Sequence, residues 1–328
     1  MTTPMISVVM PIYNVEAFVG AAVQSVLDQT FKDFELICVD DGGSDRSIDI
    51  VRTFDDPRIR IVHQANRGLA GARNSGIAHA RGEFVALLDS DDIWDRDKLM
   101  LHFIHLRSNP HVGVSYAGSR LIDANGEPLS VFMQPKIGEV TARDIICRNP
   151  VGNGSAAVLR KSELDKAAFM HPSTVGRKCW FDEEFRQSED IEMWIRLAVK
   201  HDVTFAGIEG LLTDYRILAG ALSANVVKQY LSWTKMLRKL RGYAPEFVTA
   251  HGDTARAYQL RYLARRAIQL GNADLAKDLL GKAIGLDAAI LVEEPRKTTT
   301  TAAAILVARI LGQDRFSDLM RPYLKEAA

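Results

Sequence analysis

The chain has 328 residues, 47% of them hydrophobic and 25% charged, with 41 Lys and Arg against 41 Asp and Glu. A chain of this size can bury a substantial core and is expected to hold more than one unit, and its balanced charge gives no bulk field for nucleic acid or an anionic membrane. Its three cysteines, Cys38, Cys147 and Cys179, are too far apart for a metal or disulfide pattern and suit a reducing compartment.

The opening MTTPMISVVMPIYN has no basic region ahead of a long apolar segment, so no signal peptide is expected. Ile6–Met10 is a β-rich run closed by Pro11, and Val15–Gln29 carries apolar residues at helical spacing. Phe34–Val39 reads as a second strand ending in Asp40 and Asp41. Ser44–Phe54 reads as a helix with Ser44 or Asp45 as cap. Ile59–Val62 and Leu69–Ala80 repeat the pair, and Phe84–Leu88 and Val112–Tyr116 add two strands. Such alternation implies an α/β fold with a mostly parallel sheet and helices on both faces. Ligands bind such sheets beyond the carboxyl ends of the strands. The polar clusters fall there: Tyr13 and Asn14, then Asp40 and Asp41, then Asp89 to Asp92.

Leu121 to Gly220 is irregular apart from one helical pattern, Glu189–Lys200. Beyond about Ser223 the composition turns to Ala, Leu, Arg and Lys. Ala255–Leu270, Gly271-Asn272 and Ala273–Ile284 then read as a helical hairpin with the small residues of one tetratricopeptide-like unit, Ala264, Ala267, Gly271, Ala276 and Ala283. No second copy follows. The expected division is 1–222, a sheet-bearing domain, and 223–328, a smaller α-helical region. Thr298–Ala308 is too short to span a bilayer. The expectation is a cytoplasmic protein, with peripheral contact to the inner face of the cell membrane left open through the basic run Lys235 to Arg241.

In LLDSDDIW (87–94) an apolar run meets three carboxylates, Asp89, Asp91 and Asp92, in four positions. They repel one another unless a cation or a set of donors sits among them. Mg²⁺ commonly takes one or two carboxylates together with substrate phosphates. The competing reading is a helix start, with acids in the first turn ahead of Arg96 and Lys98.

Three blocks, SVVMPIYNVEAFVGAAVQSVLDQTFKDFELICVDDGGSD, NRGLAGARNSGIAHARGEFVALLDSDDIW and FRQSEDIEMWIRLA, resemble the family-2 glycosyltransferases, in order and separation, over residues 5 to 222. The resemblance implies a GT-A fold and an inverting transfer of sugar from a nucleotide-diphosphate sugar donor to an acceptor hydroxyl, on a glycan or lipid-linked acceptor. It implies a nucleobase floor at Pro11 and Tyr13, where an aromatic ring offers a stacking face. Asp41 is carried over as the base contact. Arg73 is placed near the diphosphate or ribose, where charge-assisted bonds would form. Asp89 and Asp91 become a DXD element holding Mn²⁺ or Mg²⁺ against the phosphates, to offset charge on the leaving diphosphate. Asp92 is either a further ligand or a helix cap.

By the same resemblance Asp190 is the general base. A helix N-terminus there would keep it deprotonated and a weaker base. Glu189 joins the substrate-binding set with a different role, since adjacent residues do not share a helix face. Trp194 is a core anchor or an acceptor-pocket wall.

Two departures stand out. Gly43 occupies a position where relatives more often have Ser, and Leu218 closes Tyr215-Arg216-Ile217-Leu218 where many carry a metal-binding His. Gln229 to Trp233 lacks the Arg of the processive element, so a single addition is expected. Asn153 and the Gly152–Gly154 turn are expected to shape the acceptor side. No histidine is assigned to a site. The rival readings are a sugar-nucleotide pyrophosphorylase, which wants a Gly-rich basic loop after the first strand that PIYNVEAF does not supply, and a catalytically silent nucleotide-sugar-binding domain with a helical interaction tail.

Overall fold

The computed structural model describes residues 3–218, 226–312 and 316. The chain divides into two compact units, Met1–Ala142 with Pro150–Ile217, and Arg143–Asn149 with Leu218–Ala328. The expected division at 222/223 lies outside the described residues.

The first unit opens with β1 (Ile6–Ile12), α1 (Val19–Leu27), β2 (Phe34–Asp40), α2 (Ser47–Arg52), β3 (Ile59–His63), α3 (Gly68–His79) and β4 (Phe84–Leu87). It continues with β5 (Ile93–Trp94), α4 (Lys98–Ser108), β6 (Val112–Ile122), β7 (Pro128–Met133) and β8 (Gly138–Val140). After α5 (Ala142–Arg148), most of which belongs to the second unit, come β9 (Ala157–Arg160), α6 (Lys161–Lys166), β10 (Phe169–Met170), β11 (Lys178–Cys179), α7 (Glu189–Lys200) and β12 (Thr204–Arg216).

One sheet runs in the order β3-β2-β1-β4-β9-β6-β12-β5, with β7 on β6 and β8 on β12. The β3-β2-β1-β4 half is parallel, as the alternation predicts. β9 is inserted antiparallel between β4 and β6, which the alternation did not foresee. Val8, Met10, Leu36, Cys38 and Phe84 are fully buried against Val19, Val23 and Val26 of α1 and Leu99 of α4. Full burial of side chains like these Val and Leu is worth roughly 1.5–3 kcal/mol apiece.

Pro11 does not close the first strand, because β1 continues to Ile12. Val9 accepts from Leu88 on the β4 side and Ile12 accepts from Asp41 on the β2 side. By alternation, the N–H that Pro11 lacks would face the β4 side, where pairing has already ended at Leu87. The helix predicted over Ser44–Phe54 shortens to α2. The cap position falls to Arg46 rather than to Ser44 or Asp45, and Asp45, one residue earlier, accepts from the Ser47 N–H at 3.0 Å and the Ser47 hydroxyl at 2.6 Å.

The second unit holds α8 (Val226–Tyr243), α9 (Pro245–Gln269), α10 (Ala273–Leu286), α11 (Ile290–Glu293) and α12 (Pro295–Leu311). α9 and α10 form the expected hairpin. Ala264, Ala267, Ala276 and Ala283 are buried, so small side chains set the close approach of its helices. The Asn272 side chain caps α10 by accepting from the Leu275 N–H. Among the described residues no helix is long and apolar enough to cross a membrane.

Candidate active site

The acidic turn after β4 is not a helix start. It feeds the short strand β5, and α4 begins only at Lys98, after Asp97. Its geometry is set by residues far away in the chain. The Asp89 N–H donates to Ser155 Oγ at 2.9 Å, and the Ser155 hydroxyl donates to Asp92 Oδ2 at 2.6 Å. The other Asp92 oxygen accepts from the Arg216 N–H at 2.9 Å. Asp92 is 0% exposed with both oxygens engaged by protein donors, so it does not cap a helix, and to bind a metal it would have to give up one of those bonds. Burial, with Asp91 and Asp89 nearby, pushes its carboxyl well above the usual range.

Asp89 and Asp91 remain partly accessible. Burial first, then the neighbouring Asp89, raises the Asp91 carboxyl to about 6, a crowding of negative charge that a cation would relieve. Among the described residues no three His, Cys, Asp or Glu side chains converge as a ready metal cluster. Two carboxylates still fit a hard divalent ion that takes its other ligands from phosphate and water.

Arg73 lies on α3 and is 1% exposed. It spans two elements: Nη2 donates to Asp89 Oδ1 at 2.7 Å and Nη1 to Glu189 Oε1 at 2.9 Å. Both ends of its fork are engaged with protein carboxylates, one of them in the acidic turn, so it stands beside the candidate metal seat. Gly154 has its reason here. A Cβ on it would stand 2.2 Å from Arg73 Nη2, so only glycine admits the guanidinium.

Glu189 and Asp190 begin α7 as predicted, with different surroundings. Burial drives the Glu189 carboxyl up to about 7, against the pull of Arg73. Asp190 takes the Ile191 N–H on Oδ1 at 2.8 Å. Burial raises its carboxyl as well, which strengthens it as a base where the helix terminus alone was expected to weaken it. Ser188, just before them, sits in the left-handed region at φ 60°, a conformation more common at functional sites than elsewhere. Of the two roles expected for Trp194 the structure shows the core anchor: it is 0% exposed and packs edge-on against Phe181 and Phe205.

A recess of about 250 Å³ opens at the ends of β1 and β2. It is lined by Tyr13, Asn14, Asp40, Asp45, Arg52 and His63 among others. Tyr13 is 50% exposed, as a stacking platform needs, whereas Pro11 is buried in its strand and offers no ring surface. Asp41 is 2% exposed, and its carboxylate holds the loop before α3, accepting from the Gln64 amide and from the Arg67 and Gly68 N–H groups. Asp40 lines the recess and pairs with His63 at 2.8 Å. His63 was passed over in the sequence, and only its place at the end of a strand hinted at it. Gly43 explains its own departure: a Cβ there would meet Asn14 Oδ1 at 3.0 Å, and that oxygen already accepts from the Ser44 N–H. His102 and His105 share the Ser115 hydroxyl at 2.7 and 2.8 Å and face no site.

The family model described as Glycosyl transferase family 2 matches residues 7–166. The chain is 30% identical over 227 residues to the putative teichuronic acid biosynthesis glycosyltransferase TuaG of Bacillus subtilis, covering 68% of this chain and 82% of the relative. It is 29% identical over 226 residues to the UDP-Glc:alpha-D-GlcNAc-diphosphoundecaprenol beta-1,3-glucosyltransferase WfgD of Escherichia coli, covering 69% and 82%. Among solved structures, the mannosyltransferase PcManGT from Pyrobaculum calidifontis, in complex with GDP-Man and Mn²⁺, aligns with a TM-score of 0.58 at 19% identity, covering 94% of this chain and 87% of that one. S. aureus TarS in complex with UDP-GlcNAc aligns with a TM-score of 0.55 at 17% identity, covering 87% and 91%. These two likenesses speak to the fold.

Proposed function

The chain belongs to glycosyl transferase family 2 and has the GT-A fold, and from that premise we propose that it moves one sugar at a time from a nucleoside diphosphate donor to an acceptor hydroxyl, by a single in-line displacement with inversion. One observation carries the reading. A single buried guanidinium, Arg73, holds Asp89 of the acidic turn and Glu189 beside the candidate base, so the two halves of the chemistry sit in one electrostatic unit.

In this reading the nucleoside occupies the recess at Tyr13, Asp40 and His63, stacked on Tyr13. Asp41 acts close by, through the loop it holds and through its remaining lone pairs. Asp89 and Asp91 would hold Mn²⁺ or Mg²⁺, whose charge offsets what builds up on the leaving diphosphate. Asp190 takes the acceptor proton on its free oxygen. Its raised carboxyl makes it a stronger base, and the neighbouring Arg73 still favours its ionised form. Much of the rate would come from holding donor and acceptor in line.

The relatives' names point to surface-glycan assembly, and WfgD's to a lipid-diphosphate acceptor. We carry both over as the acceptor class. Contact with the inner face of the membrane belongs to the same reading: α8 exposes Val227 and Leu231 together with Arg238 and Arg241.

The test is release of free nucleoside diphosphate from UDP-, GDP- and dTDP-sugars, with and without Mn²⁺, with lipid-diphosphate and soluble glycan acceptors. The reading expects release that depends on both acceptor and metal. Donor binding without release in any acceptor mixture would instead make the chain a silent nucleotide-sugar-binding domain.

A further inference from the structure

Arg216 ends β12, and its hydrogen bonds reach three places around the acidic turn. Its N–H donates to Asp92 Oδ1 at 2.9 Å, and its Nε–H donates to the main-chain carbonyl of Asp91 at 2.8 Å. Nη1 donates to the carbonyls of Asp123 and Ala124 at 2.9 and 3.0 Å, in the turn joining β6 to β7. The guanidinium carbon lies 4.8 Å from the centre of the Phe18 ring, just ahead of α1. The residue is only 6% exposed. Most of these acceptors are peptide carbonyls, so the arginine is spending a rigid five-donor fork on holding main chain in place.

The consequence falls on Asp91. With its carbonyl fixed by Nε and the next residue's carboxylate fixed by the Arg216 N–H, the peptide between Asp91 and Asp92 has little freedom to rotate. Asp89 is fixed from its other side, through its N–H to Ser155. The main chain at each residue of the candidate metal seat is therefore held by a residue distant in sequence, Asp89 by Ser155 and Asp91 by Arg216. Because this seat has two protein carboxylates among the described residues, misorienting one removes half of its protein ligands.

We infer that Arg216 is a positioning residue. It sets the Asp89–Asp91 turn in the geometry that lets both carboxylates share a divalent cation with the donor diphosphate, and it ties that turn to the Asp123–Ala124 turn. The inference rests on the metal reading above. Arg216→Lys keeps the charge and a stem over Phe18, but a single ammonium cannot reach the Asp91 carbonyl and the 123–124 carbonyls together.

The experiment is Mn²⁺ titration followed by electron paramagnetic resonance, with UDP or GDP present, on the wild-type chain and on Arg216→Lys. Nucleotide affinity is measured in parallel in EDTA. Loss of outer hydrogen bonds to metal ligands typically weakens metal affinity about ten- to a hundredfold, so a drop of that size is expected while metal-free nucleotide affinity stays within about twofold. Equal weakening of both affinities would mark Arg216 as merely structural and overturn the inference. So would unchanged Mn²⁺ affinity. A wild-type chain that binds no Mn²⁺ with either nucleotide overturns the metal reading and the inference together.

If the lysine variant does not fold, hydrogen exchange on the wild-type chain decides the question. Adding Mg²⁺ with UDP or GDP should slow exchange around 89–92 and around 123–126 together. Slowing at 89–92 alone, or at neither, overturns the coupling.

Discussion

Arg73 donates to Asp89 at 2.7 Å from a position that water does not reach, and the other arm of its fork holds Glu189 at 2.9 Å. Its burial would favour losing the proton, but the two carboxylates outweigh that and lock the charge in place. Removing one partner of a buried ion pair leaves the others uncompensated, at a cost of about 3–5 kcal/mol. Arg73→Met is therefore expected to lower the unfolding free energy by that order in urea titration. Arg73→Lys, which cannot span both acids, should fall between the two. A methionine variant as stable as the parent would mean the pair is not what holds these elements together.

Gly154→Ala should reproduce part of that loss without touching a charge. Its new Cβ would stand 2.2 Å from Arg73 Nη2 and force the guanidinium off Asp89. Overpacking of this kind costs about 1–3 kcal/mol. Combined with Arg73→Met, which vacates the space, the alanine should cost much less than it does alone. Strict additivity in that double-mutant cycle would rule out the contact.

The contribution of Glu189 to stability is expected to fall as pH rises from about 4.5 to 7. Burial raises Glu189 to about 7, above its ordinary 4.5. Over that window the folded chain keeps a proton that the unfolded chain has released, so unfolding is favoured as pH increases. The integrated effect is on the order of 3 kcal/mol. Asp91, raised to about 6, pushes in the same direction at slightly lower pH. Glu189→Gln carries no titrating group, so its urea midpoint should change less between pH 4.5 and 7 than the parent's. Parallel pH profiles for the two would show that Glu189 titrates normally.

What the sequence makes legible follows from the range of the interactions involved. Apolar runs and helical spacing are local, so β1, β2, β3 and α7 come out close to their observed bounds. The carboxyl ends of the strands therefore collect Tyr13, Asp40 and Asp89 as expected. β9 is four residues long and next to a glycine-containing turn, with no alternation to mark its antiparallel insertion. Ser155 and Arg216 act on Asp92 from 63 and 124 residues away, and no local pattern encodes a hydrogen bond at that separation. Residue type says nothing about burial, so Arg73 reads as a neighbour of the diphosphate or ribose and Trp194 as either a core anchor or a pocket wall. Tertiary packing placed both inside.

Tyr13→Ala tests the recess. Stacking of a base on an aromatic ring is worth about 1–3 kcal/mol, so nucleotide affinity by calorimetry should drop roughly ten- to hundredfold. With Tyr13 half exposed, the fold should be little affected. Unchanged affinity for every nucleoside diphosphate tried would move the nucleoside out of this recess.

In the proposed reaction the adjacent acids Glu189 and Asp190 have different roles, and two variants separate them. Asp190 has one oxygen on the Ile191 N–H and the other free, so Asp190→Asn keeps the shape and the helix contact while losing the base. Positioned general bases contribute about 10²–10⁴-fold, and turnover should fall by that factor with donor affinity spared. Glu189 instead engages Arg73 with an oxygen, so Glu189→Gln weakens the clamp on Asp89 and should cost donor affinity before it costs chemistry. The two effects therefore appear in different measurements, single-turnover rate for Asp190 and donor binding for Glu189. If Asp190→Asn turns over normally and Glu189→Gln does not, the base is Glu189. Its carboxyl, raised to about 7, would then be half protonated near neutral pH, and the rate should climb with pH through that value.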